Sequence, residues 1–80
     1  MDSNEARLKQ VIADVFGITT DVVDEETSVD TVARWDSLNH LKLVLALENE
    51  FAITFSEQQT VEIVSFPLVK TVLTELGVSF

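Results

Sequence analysis

Trp35-Asp36-Ser37-Leu38-Asn39-His40-Leu41-Lys42-Leu43-Val44-Leu45-Ala46-Leu47-Glu48-Asn49-Glu50-Phe51 is the stretch whose reading decides the fold. Acids and hydroxyl residues precede it, and from Leu38 onward it becomes mostly apolar. Asp36 is placed to cap a helix, because its carboxylate can accept backbone N–H bonds that a first turn leaves unpaired. The helix is predicted over Ser37 to Phe51. At about 100° per residue, Leu43, Val44, Leu47 and Phe51 form one apolar arc. Leu38, Leu41 and Leu45 form a second, adjacent arc, and Glu48 falls between the two. Either the second arc is exposed for a partner with Glu48 on the boundary, or both arcs are buried and Glu48 reaches out to water. The accessibility of Leu38, Leu41 and Leu45 decides between these readings.

Working outward, Leu8, Val11, Ile12, Val15 and Phe16 recur at helical spacing and predict a helix from near Ser3 to Phe16. Glu5 suits the positive end of that helix. Gly17 can take the left-handed position that ends it, with Ile18 folding back onto the last turn. Ile18 to Trp35 is too polar for a buried strand. Yet Ile18, Val22, Val23, Val29 and Val32 punctuate it, so it reads as a loop pinned to the core, with a short helical turn after Ser28. Val22-Val23 admits a strand reading that lacks an evident partner. On the other side, Ala52 to Phe55 is an extended connection, and Ser56 with Gln59 three residues on forms a capping box. That box opens a short helix ending near Ile63. A last helix starts around Ser65 to Pro67, buries Leu68, Val69, Val72, Leu73 and Leu76, and stops at Gly77. Residues 1–80 therefore read as a single all-α domain, a four-helix bundle of three longer helices and one short third helix.

Composition narrows the partners. Fourteen acids against 5 bases give a net charge of -9, a surface that repels nucleic acid and anionic membrane and favours basic patches on proteins. The chain has 0 cysteines, which excludes disulfides and a thiolate metal site, so any thiol chemistry has to come from an attached group. The start, Met1-Asp2-Ser3-Asn4-Glu5, lacks the basic-then-apolar pattern of a secretory signal. No stretch approaches the ~20 apolar residues of a membrane helix. A soluble, cytoplasmic protein is the expectation.

Ser37 is the residue with chemical promise. At N1 of its helix the hydroxyl lies near the surface, and a phosphodiester attached there would meet unpaired N–H groups and the positive end of the dipole. His40 stands one turn away, within reach at i, i+3. A nucleophilic serine also requires an oriented base and an oxyanion hole in a sheltered pocket, which a helix edge in a small bundle does not supply. His40 reads as an ordinary surface or boundary residue. The cluster Asp24-Glu25-Glu26 with Ser28 and Asp30 lacks the spacing of an EF-hand loop and reads as a solvated acidic surface. The predicted position for Trp35 is over the loop. Its staple partner at N4 would be His40, which is not apolar.

Asp36-Ser37-Leu38, followed at fixed spacing by Leu47-Glu48-Asn49-Glu50-Phe51 in an acidic chain of 80 residues, resembles the acyl carrier proteins. The resemblance covers nearly the whole chain. It implies a four-helix bundle, not an enzyme in itself, whose motif serine, here Ser37, receives 4′-phosphopantetheine from coenzyme A. Asp36 belongs to the same motif. A separate phosphopantetheinyl transferase would attach the arm, whose thiol holds acyl groups as thioesters. Partner enzymes with basic docking patches would meet Leu38, Leu41, Leu45 and Glu48, and the carrier would be a monomer. Usual fatty-acid-synthesis carriers tend to have acids where this chain has Asn39 and Lys42, which points toward a specialised carrier, for example one serving polyketide, lipid-modification or secondary-metabolite enzymes. Peptidyl and D-alanyl carriers share the serine, so an aminoacyl cargo stays open. An acidic helical adaptor without cofactor is the alternative from another class.

Overall fold

The computed structural model describes residues 3–80; Met1 and Asp2, part of the reading of the N-terminus as lacking a signal, lie outside them. Four helices follow in order: α1 (Asn4–Phe16), α2 (Ser37–Phe51), α3 (Glu57–Glu62) and α4 (Phe66–Glu75). No helix among the described residues is long and apolar enough to cross a membrane.

Each helix starts where a short polar side chain can accept from its first turn. Ser3 caps α1, Asp36 caps α2, Ser56 caps α3 and Ser65 caps α4. The Ser56–Gln59 capping box is complete in both directions. Gly17 ends α1 at φ 68°, and the Ile18 N–H returns to the Ala13 carbonyl at 3.0 Å. α2 ends in the same left-handed way but on Ala52, at φ 53°, a stop that sequence does not signal.

The core joins Leu8, Ile12 and Phe16 of α1 to Leu43 and Leu47 of α2 and to Val69 and Leu73 of α4. Leu68, expected on the buried face of α4, is 42% exposed, and Phe66 is buried in its place. Starting α4 at Phe66 puts Phe66, Val69, Val72 and Leu73 on the core side, and Leu68 rotates off that face.

Residues 18–36 are pinned to the core by Ile18, Val23 and Val32, whereas Val22 and Val29, expected to pin it as well, are exposed, and no strand forms there. Thr20–Val22 forms a single 3₁₀ turn that leaves Val22 exposed and Val23 buried. The buried Thr27 Oγ1 accepts the Asp24 N–H at 2.9 Å, and its hydroxyl donates to the Val22 carbonyl. An isolated antiparallel bridge pairs Ser28 with Ser65: the Val29 N–H donates to Val64, and the Phe66 N–H to Thr27. The Val32 N–H to the Ser28 carbonyl, at 3.0 Å, closes the short helical turn after Ser28. The loop thus delivers the chain to Trp35 with its backbone fixed against the α3–α4 connection.

Candidate functional site

The site begins with the cap of α2. Asp36 Oδ1 accepts the Asn39 N–H at 2.9 Å, and the His40 N–H bonds to the Asp36 carbonyl at 2.8 Å. Because Asp36 does the capping, the side chain of Ser37 at N1 is left to solvent, and both residues are exposed. Asn39 adds a second tie to the loop, its Nδ2 donating to the Arg34 carbonyl at 2.8 Å. An acid at this position could not make that bond, since a carboxylate only accepts. The asparagine that departs from the usual acidic pattern therefore has a local structural role.

An open groove of about 380 Å³ lies beside Ser37. Trp35, Asp36, Ser37 and His40 line one side, while Val29, Val61 and Val64 come from the loop and from α3 and its exit. Sequence reasoning named Val29 only as a residue pinning the loop and did not single out Val61 or Val64. Their convergence depends on the Ser28–Ser65 bridge, which no local pattern announces.

Trp35 sits differently from its predicted place, and His40 has partners that its predicted place did not include. The indole is only 6% exposed and packs on Phe16, with ring centroids 4.8 Å apart. Its Nε1–H donates to His40 Nδ1 at 3.0 Å, and His40 Nε2 meets the Thr60 carbonyl at 2.6 Å. The tryptophan is thus part of the core rather than a cover for the loop, and the histidine, half-buried at the boundary as expected, also bridges two elements. The N′ and N4 register of a hydrophobic staple was the signal: here the pair joins by a hydrogen bond instead of apolar contact. With both ring nitrogens engaged, the imidazole is not directed at Ser37 as a base.

Along α2 the apolar arcs separate. Leu43, Val44 and Leu47 are buried, whereas Leu38, Leu41 and Leu45 are 63%, 56% and 59% exposed. The second arc is therefore exposed rather than buried. Glu48 lies at the boundary, and its Oε2 accepts the Phe55 N–H at 2.9 Å, securing the turn after α2. Among the described residues, no group of three or more acidic or histidine side chains is gathered to hold a metal ion. In the acidic loop, Asp24 Oδ1 instead accepts the Glu26 N–H.

The family described as the phosphopantetheine attachment site matches residues 6–65, a span that runs from α1 through α3 and holds Ser37 well inside it. The chain belongs to this family, that of the acyl carrier proteins, whose prosthetic group is 4′-phosphopantetheine. The residues present fit such a group: an accessible hydroxyl at N1 and first-turn N–H groups besides the Asn39 N–H that Asp36 caps.

Proposed function

We propose that Ser37 is the attachment point and that the chain carries acyl intermediates among the enzymes of fatty acid, polyketide or specialised lipid synthesis. The observation that carries this reading is the exposed Ser37 side chain at N1, freed from capping by Asp36. When bound, the arm supplies the thiol that the cysteine-free chain lacks, and holds acyl groups as thioesters. The protein's own residues present and dock. Asp36 fixes where α2 begins, and the helix's positive end favours the phosphodiester. Leu38, Leu41 and Leu45, with Glu48 at their edge, form the surface offered to partner enzymes and to the phosphopantetheinyl transferase. The carrier itself performs no bond-making chemistry in this reading, and tethering raises the local concentration of the cargo at each partner.

Asn39 and Lys42 favour a specialised member over a general fatty-acid carrier. They remove acids beside Ser37, so docking there leans on the three leucines more than on charge. An aminoacyl cargo is the second reading on the same observation. The decisive measurement is intact mass after incubation of the chain with coenzyme A and a broad-specificity phosphopantetheinyl transferase. A gain of one arm, absent in Ser37→Ala, is the expected outcome; no gain with several such transferases would overturn the assignment. Mass of the protein from its own cell then distinguishes acyl from aminoacyl cargo.

A further inference from the structure

The bridge through His40 links three elements at the site. An indole N–H can only donate, so the Trp35 contact at 3.0 Å makes His40 Nδ1 an acceptor. A neutral imidazole then carries its proton on Nε2, which donates to the Thr60 carbonyl. That carbonyl lies in the last turn of α3, where helical carbonyls have no N–H of their own helix to accept from. The chain of contacts runs from Phe16 in α1 through Trp35 and His40 to α3.

α3 depends on such a tie. It is 6 residues long and none of its side chains is buried, so neither length nor packing of its own holds it in place. Flanking residues Phe55 and Ile63 anchor its ends in the core, while His40 holds its last turn. Thr60 adjoins Val61, and Val61 faces Ser37 across the groove. Any enzyme that reaches Ser37 meets the first turn of α2 and this wall together.

Resting on the reading of Ser37 as the attachment point, we propose that His40 is a positioning residue for loading of that serine. By tying the Thr60 carbonyl to the first turns of α2, it sets in advance the two-sided surface that a phosphopantetheinyl transferase must engage. A carrier without the tie samples other placements of α3, so recognition weakens while transfer within the bound complex does not. The effect belongs to KM for the carrier rather than to kcat.

Two variants separate the halves of the bridge. In His40→Asn the amide oxygen can still accept from Trp35, but the shorter side chain loses Thr60. In His40→Gln an acceptor and a donor on one longer side chain can serve both. The experiment is steady-state loading of the full chain with coenzyme A and a broad-specificity transferase, alongside ¹H–¹⁵N spectra and far-UV circular dichroism. His40→Asn is expected to raise KM about three- to tenfold, the scale of one lost hydrogen bond, with kcat within about twofold. Its amides from 58 to 64 shift, while the indole resonance of the only tryptophan stays near its wild-type place. His40→Gln returns KM toward wild type. A His40→Asn carrier of wild-type helicity and unchanged KM overturns the proposal. So does a fall in kcat alone, or a His40→Gln variant no better than His40→Asn. If His40→Asn loses helicity, failure of His40→Gln to match wild-type KM while folded overturns it. Wild-type chain that takes no arm instead refutes the assignment of Ser37, a separate result.

Discussion

At the scale of single residues, Trp35 makes the strongest stability prediction. Its ring is buried against Phe16, and its one polar atom is spent on His40. Trp35→Ala removes a large buried side chain beneath the groove and is expected to cost roughly 3–5 kcal/mol. Trp35→Phe keeps much of the ring contact but deletes the N–H, leaving His40 Nδ1 without its donor. Since that nitrogen borders an open groove where water can replace the bond, the cost should fall to about 1–2 kcal/mol. Urea unfolding followed by circular dichroism measures both. Equal losses for the two variants would mean that the indole N–H, rather than the packing, dominates. The same residue shows what a sequence conceals. Asp36 as cap and Ser37 at N1 were legible because a cap is decided within four residues. Trp35 and His40 were assigned to the periphery because their partners, Phe16 and Thr60, lie 19 and 20 positions away in sequence.

The helices as elements were legible for a common reason: each carries its own start signal, from Ser3, Asp36, Ser56 or Ser65. Periodicity then identified the buried faces of α1 and α2 and separated the exposed leucines of α2. It failed for Leu68, because an apolar run such as Phe66 to Val69 fits more than one rotation until the helix start is fixed. The end of α2 was invisible for a different reason. Ala52 occupies the left-handed conformation that glycine usually takes, with its N–H on the Glu48 carbonyl. A side chain in that region costs about 1–2 kcal/mol, while replacing it by glycine frees the unfolded chain and costs about 0.4–1 kcal/mol. The first effect is the larger. Ala52→Gly should therefore stabilise the protein by roughly 0.5–1 kcal/mol, raising the urea midpoint with an unchanged slope. A lowered midpoint would show that the freedom glycine gives the unfolded chain outweighs the αL cost at Ala52.

Across the whole molecule, the net charge of -9 opposes compaction, and two cations, Arg7 and Lys70, join elements through ion pairs. Arg7 of α1 donates to the Glu50 carboxylate of α2 at 2.9 Å and lies over the Phe51 ring. Lys70 of α4 bonds to Glu5 of α1 at 2.9 Å and approaches Glu25 of the loop at 3.7 Å. The hydrogen bond from Lys70, more than its charge alone, holds the Glu5 carboxyl below its ordinary 4.5. The same bond raises the Lys70 ammonium above its ordinary 10.5, against the opposing effect of partial burial. The signs give a pH window. A lowered carboxyl stabilises the fold at pH above its unfolded value, and that contribution disappears as pH falls through the folded value. A raised ammonium stabilises it below its unfolded value, and that contribution disappears as pH rises through the folded value. Total stability is a poor readout, because protonating the other carboxylates also relieves the acidic self-repulsion and works in the opposite direction. A double-mutant cycle with Glu5→Gln and Lys70→Met isolates the pair. Its coupling should be favourable at neutral pH, fade toward zero in acid below the lowered Glu5 value, and shrink in high salt because both groups are partly solvated. Coupling that survives undiminished in strong acid would mean that the pair contributes through packing of the Lys70 stem along Phe66 and Phe80 rather than through its charges.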